Sequence, residues 1–173
     1  AKVMSVAVEE TGFDTVAVLL YDELGQNLVV RAAAGLPESV IGTKVPVIAG
    51  RAIRRALDTT QPMIWADEQV AAFPFGAGLQ ELVTLPLVTQ GQVLGLMVVS
   101  RRATDAAQAP LEYGDTEALS ILAGQAAVAI KNAQLFTEIV QAYRRVEESD
   151  HLKSEFIAIA SHELRTPLTH ILG

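Results

Sequence analysis

The chain divides into elements by the spacing of its apolar residues. Residues 15–21 (TVAVLLY) and 27–34 (NLVVRAAA) are short runs rich in β-branched and apolar side chains. The polar stretch Asp22–Gln26 separates them, with Gly25 free to take positive φ, so the pattern predicts a β-hairpin. ELVTLPLVTQGQVLGLMVVS (81–100) predicts a second hairpin that turns at Thr89–Gln92 around Gly91. Pro86 lacks an N–H, which predicts an edge or a bulge at that point of its strand. GRAIRRALD (50–58) reads as a short amphipathic helix, with Ala52, Ile53, Ala56 and Leu57 on one face and Arg51, Arg54 and Arg55 on the other. PMIW (62–65) is a short strand, and 66–80 is irregular. Residues 36–47 form a loop with one extended piece, 101–112 form a polar loop, and 1–12 read as the end of a helix stopped by Gly12.

A long helix is predicted from Tyr113, with Asp115 and Thr116 as cap candidates. Along it Leu119, Leu122, Ala126, Ala129, Ala133, Phe136, Val140 and Tyr143 alternate at spacings of three and four, the signature of a coiled-coil seam. The next two seam positions are Glu147 and Asp150, and a new apolar set begins at Leu152, Phe156 and Ile159. Two readings stand for this slip at 147–151: a helix frayed by charge, or a paired signalling helix with an adjustable phase.

Composition narrows the chemistry. Half of the 173 residues are hydrophobic, enough to bury a core. The longest apolar runs, 16–21 and 93–99, are far short of the ~18–20 residues that span a membrane. Net charge is −7 with no basic stripe, which argues against nucleic-acid binding. There is no cysteine, so disulfides, thiolate metal sites and thiol chemistry are excluded within this chain. All three histidines (His151, His162 and His170) fall after residue 150. The chain opens on Ala1 and has no charged-then-apolar leader, which suggests a piece of a longer protein without a signal peptide at this end.

The order of hairpin, short helix with GRAIRRALDTTQPMIWAD, irregular loop, and LVTLPLVTQGQVLGLMVVSRR before a closing helix resembles a GAF domain. Pro86-Leu87, the polar turn and Gly95-Leu96-Met97 match the strand pattern of that family. The resemblance covers roughly residues 1–135. It implies an α+β fold, a GAF-like antiparallel sheet flanked by helices, with a ligand pocket on one side of the sheet. Relatives that tether a bilin use cysteine and relatives that hold haem use histidine, so no tethered cofactor is expected here. Trp65, Asp67, Phe73 and Phe75 flank the variable loop, and Arg51 or Arg54 could meet an anion. Against this, aromatics near a loop also serve as core, and arginines on a short helix as a solvated face.

The closing stretch HLKSEFIAIASHELRTPLTHILG resembles the dimerisation and phosphoacceptor (HisKA) segment of sensor histidine kinases, through Phe156 and the contiguous Ser161–Leu168 string. Phe156, Ile159 and Leu164 make one apolar stripe that two copies can pack into a helical bundle. An imidazole with a pKa near ~6.5 keeps a free nitrogen lone pair at neutral pH, so His162 suits nucleophilic attack on phosphorus. Glu163 beside it suits a hydrogen bond to the other ring nitrogen and acceptance of the proton. By resemblance, Thr166 one turn on would orient water for dephosphorylating the partner. Pro167 costs a helix roughly ~3 kcal/mol in its interior, which predicts either a bend below His162 or a helix end.

The expected organisation is a sensor domain over 1–135, a coiled-coil linker over 136–152 and the start of the phosphoacceptor helix over 153–173. The expected function is the sensory part of a cytoplasmic or membrane-attached histidine kinase that pairs through helix 113–172. Its partners would be a second copy, a response-regulator receiver domain and a small ligand. ATP and magnesium would be bound by parts of the kinase outside this chain, so the chain alone should be inactive. Two other readings remain: a ligand-free relay scaffold, and a domain holding a chromophore without a covalent bond.

Overall fold

The computed structural model describes the backbone of residues 13–47, 51–66, 70, 71, 73, 75, 76, 78–102 and 113–172, and the side chains of all of these except 51, 80, 102, 113–115, 158 and 160–172. The expected helix end at 1–12 and loop at 103–112 lie outside the described residues. Among the described residues six strands, one 3-10 turn (Glu38–Val40) and two α-helices follow one another: β1 Thr15–Tyr21, β2 Asn27–Ala34, β3 Lys44–Pro46, α1 Arg51–Thr59, β4 Met63–Ala66, β5 Leu79–Thr89, β6 Gln92–Arg102 and α2 Tyr113–Leu172. They form one antiparallel sheet in the order β3-β2-β1-β6-β5-β4. The fold is the expected α+β class.

Local chemistry builds the two hairpins. In the first, the Asp22 carboxylate accepts from the backbone N–H of Gln26 (2.9 Å) and Asn27 (3.2 Å) and from the Asn27 side-chain amide (2.7 Å), and Gly25 takes φ 67°. In the second, Gln90 and Gly91 take φ 51° and 75°, the paired positive values of a two-residue turn that follows the sheet's twist. The hairpins then zip together through β1 and β6, with Val16 opposite Val99 and Leu19 opposite Leu96. That junction explains Gly95. A Cβ there would lie 2.0 Å from the carbonyl oxygen of Leu19, so no other residue fits beside β1. The register of β5 against β6 also shifts between Leu87 and Val88, which sets Leu94 as the extra residue of a bulge. Pro86 lies beyond Met63↔Thr84, the last rung β4 makes with β5, so the strand is an edge on that side as its missing N–H requires.

Both sheet faces are covered. On one, Ala17, Leu19, Leu28, Val30, Leu82, Leu96 and Val98 pack with Ile53, Ala56 and Leu57 of α1. A nine-residue helix is too short to persist alone. Burial holds it, at about 1.5–3 kcal/mol for each large apolar side chain. The other face presents Val83, Leu85, Leu87, Met97 and Val99, all buried. Thr116, Leu119, Ala123 and Ala127 are the buried stripe of α2, and Leu85 and Ala123 border one groove.

Three expectations change, and two alternatives fall. The helix begins at Tyr113, so Asp115 and Thr116 sit inside its first turn rather than at its cap. Leu119, expected on the coiled-coil seam, is 3% exposed and belongs to the domain's own core. β5 begins at Leu79, two residues earlier than the apolar run suggested. Of the alternatives for the far end of this helix, fraying at 147–151 and a helix end at Pro167 do not hold, because the helix runs on to Leu172. The chain divides into two compact units, Ala1–Ala129 and Ile130–Gly173; the second consists of α2 alone over its described residues.

Candidate functional site

The aromatic residues singled out in the sequence converge beside α1. Trp65 comes from the edge strand β4, and Phe73 and Phe75 from the connection between β4 and β5. The Trp65 and Phe73 rings stand edge to face with centroids 6.2 Å apart, and Phe73 and Phe75 are tilted at 6.2 Å. Geometry of this kind adds to burial because a positive ring edge meets a negative ring face. All three are buried, and Phe73 and Val70 close the connection through a Phe73 N–H to Val70 carbonyl bond of 3.1 Å. The Trp65 indole N–H donates to Thr84 Oγ1 at 2.8 Å, and the Thr84 hydroxyl in turn donates to the Met63 carbonyl at 3.4 Å. Thr84 sits on β5 two residues from Leu82, the cross-strand partner of Trp65. A buried indole N–H with no acceptor would be costly, so Thr84 is what lets tryptophan occupy this place. A second buried hydroxyl pair, Thr15 with Ser100, joins β1 to β6 on the same face.

Charge gathers at the rim of this cluster. The Arg54 Nε donates to Asp58 Oδ2 at 3.0 Å on the exposed side of α1, and the pair holds the guanidinium firmly charged. Tyr21, half-buried against the core, has its phenol raised above the usual range by burial, with Arg54 opposing the shift and Asp58 adding to it. Among the described residues, the cluster offers aromatic faces and hydroxyls already paired. It can enclose or exclude an apolar group, and it holds no pair suited to acid–base chemistry at neutral pH. Arg51 opens α1, but its side chain, like all of Asp67, lies outside the described residues. The same holds for the side chains of His162, Glu163 and Thr166, whose positions fall on α2.

Sequence reasoning missed a groove on the opposite side of the sheet. It has a volume of ≈ 210 Å³ and lies where β5 continues past β4, bordered by Gln61, Pro62, Pro86 and Val88 and by Ser120 and Gly124 of α2. Pro86 and the small residues of α2 were its only signals in the sequence. Among the described residues no group of three or more histidines or carboxylates is placed to hold a metal, and no helix is long and apolar enough to cross a membrane.

A six-stranded antiparallel sheet between a short helix and a long closing helix is an architecture shared with solved sensory and signalling domains. The second GAF domain of DevS from Mycobacterium smegmatis is 26% identical, with a TM-score of 0.64 over 80% of this chain and 94% of that one. The GAF domain of a two-component sensor histidine kinase from Bacillus halodurans shares the fold at 20% identity, with a TM-score of 0.62 over 78% and 93% of the two chains. The family model for the GAF domain matches residues 1–130, and the chain belongs to the GAF domain family. Two curated relatives are histidine kinases. Hybrid signal transduction histidine kinase G of Dictyostelium discoideum is 30% identical over 101 residues, 54% of this chain and 3% of that protein. Circadian input-output histidine kinase CikA of Synechococcus elongatus is 29% identical over 113 residues, 55% of this chain and 15% of that protein. The chain therefore spans only a small part of the kinases it matches.

Proposed function

We propose that this chain is the sensory and relay portion of a cytoplasmic two-component sensor histidine kinase. The observation that carries the reading is the contiguous Ser161–Leu168 string on the helix that closes a GAF domain; the kinase relatives support it. In this reading the domain receives a small ligand or an upstream signal, and α2 carries the response in a homodimer to His162. One imidazole nitrogen of His162 bonds to the γ-phosphorus of ATP as the bond to the ADP oxygen breaks, and the ring proton passes to Glu163. The phosphoryl group then moves to an aspartate of a response-regulator receiver domain, and Thr166 orients the water that later removes it. ATP and magnesium would sit in a domain outside this chain.

The test is autophosphorylation of the full-length protein from γ-labelled ATP. His162→Gln is expected to abolish labelling, Glu163→Gln to slow it, and Thr166→Ala to spare it while slowing dephosphorylation of the regulator. Labelling retained in His162→Gln would overturn the assignment.

A second reading, a ligand-free relay scaffold, draws support from the buried Trp65–Phe73–Phe75 stack, in which the protein's own side chains fill one sheet face. Native mass spectrometry of protein purified from its source separates the two readings, because a stoichiometric small ligand would rule the scaffold out. Visible absorbance of that preparation would instead point to a bound chromophore.

A further inference from the structure

Two residues beside the groove work against local stability, in opposite directions. Gly124 lies inside α2, where glycine is less favourable than alanine because it gives up more backbone freedom on folding. Crowding explains Gly95, but a Cβ on Gly124 would meet nothing within 4 Å. Thr60 stands immediately after α1 with φ 50°. Glycine is the usual residue at a left-handed helix end, and a β-branched side chain there is strained. The chain thus leaves out a side chain where one fits and places one where the backbone resists it. Both departures border the same groove, and neither serves the fold. Departures of this kind collect where a site binds something.

We propose that this groove, between the free edge of β5 and α2, binds a small neutral phenol-like molecule: one aromatic ring carrying one hydroxyl. Charge sets the first limit. None of the nine lining residues is charged, so an ion entering the groove would lose its water and find no partner. Size sets the second. An apolar cavity of about 150 Å³ holds benzene, and ≈ 210 Å³ leaves room for a ring with one polar substituent. The lining sets the third. Leu85 and Ala123 are buried and give an apolar floor, Pro62 and Pro86 give rigid walls, and the bare backbone of Gly124 lets a flat ring approach α2 closely. The Ser120 hydroxyl already donates to the Thr116 carbonyl at 2.6 Å, so its oxygen is left to accept from a ligand hydroxyl. The exposed Gln61 amide lies at the mouth. A molecule held here touches β5 and α2 together and ties the closing helix to the edge of the sheet. The site lies on the opposite face from the Trp65–Phe73–Phe75 cluster, goes beyond the kinase reading and does not depend on it.

Amide NMR of the whole chain titrated with phenol tests this. The signals of Val88, Ser120 and Gly124 should shift and saturate, with a midpoint of about 1 mM for so small a ligand. The Trp65 indole N–H, on the other face of the sheet, should stay where it is. Benzoate has the same ring with a negative charge and should bind at least about tenfold more weakly. Ser120→Ala should weaken phenol about fivefold by removing the acceptor. Gly124→Leu should weaken it at least about tenfold by filling the groove. A second measurement needs no ligand. Gly124→Ala and Thr60→Gly should each raise the midpoint of thermal unfolding of the free protein, by about 2–4 °C. No saturable shift at these three amides up to about 10 mM phenol would overturn the proposal. So would equal affinity for benzoate, or a lowered unfolding midpoint in both variants, which would show that the two residues serve the fold. Stabilised variants without phenol binding would mean that the groove receives a polypeptide segment, and the proposal would fall. Binding is measured without ATP, so labelling of His162 can succeed or fail separately.

Discussion

The sheet domain and the helix-only unit spend similar side chains in opposite ways. In the domain, Leu19, Leu82, Leu85 and Leu96 are sealed from water, and both faces of the sheet present buried side chains. In the unit from Ile130 on, Leu135, Phe136, Ile139 and Val146 stand in solvent. An apolar residue in the first region therefore serves the domain's own core, whereas those in the second have no cover among the described residues. Substitutions should separate the regions accordingly: large and concentration-independent effects in the domain, effects on association in the helix.

The largest effect is expected at Gly95. Gly95→Val places a side chain into the Leu19 carbonyl and should cost more than about 4 kcal/mol, enough to unfold the domain. Urea unfolding followed by circular dichroism reads this, and a folded Gly95→Val protein would show that β1 and β6 are more loosely joined than the geometry says. Thr84→Val comes next. It strands the Trp65 N–H and should cost about 1–3 kcal/mol. Adding Trp65→Phe should then cost less than it does alone, because the donor is already without a partner, and strict additivity would break the pairing.

The smallest effect is at Asp22. Its carboxyl is held below the ordinary carboxylate range, chiefly by the Asn27 side-chain amide and then by the backbone N–H groups of Asn27 and Gln26. A depressed folded value contributes stability that is present above the unfolded value and is lost as pH falls through the folded one. The stability gap between wild type and Asp22→Ala should thus be full near neutrality and narrow in acid; a gap that widens in acid would refute the cap.

Much of this was legible in the sequence. β1 and β2 match their apolar runs residue for residue, because a continuous β-branched and apolar run and a turn glycine are local signals. Pro86 gave away the edge beyond β4 for the same reason. Long-range features were hidden. Nothing near Trp65 in the chain names Thr84, and the role of Gly95 depends on a strand far away in sequence. The seam was misread at one end. Leu119 fits two stripes of α2, one for the sheet and one for a partner, and spacing alone cannot say which claims it. The groove beside Pro86 and Gly124 was unreadable because it is made by three separated segments. The phosphoacceptor string, by contrast, was read from local identity alone, and its side chains lie outside the described residues.

Trp65 is the chain's only tryptophan, and its ring is sealed beneath the connection from β4 to β5 with its N–H already bound. The molecule thus carries one indole fluorophore, placed in the domain and absent from the helix. An event that lifts that connection wets the ring and moves its emission to the red, while two helices coming together leave its colour alone. If the chain senses and pairs as proposed, the two events can be followed as separate signals in unlabelled protein.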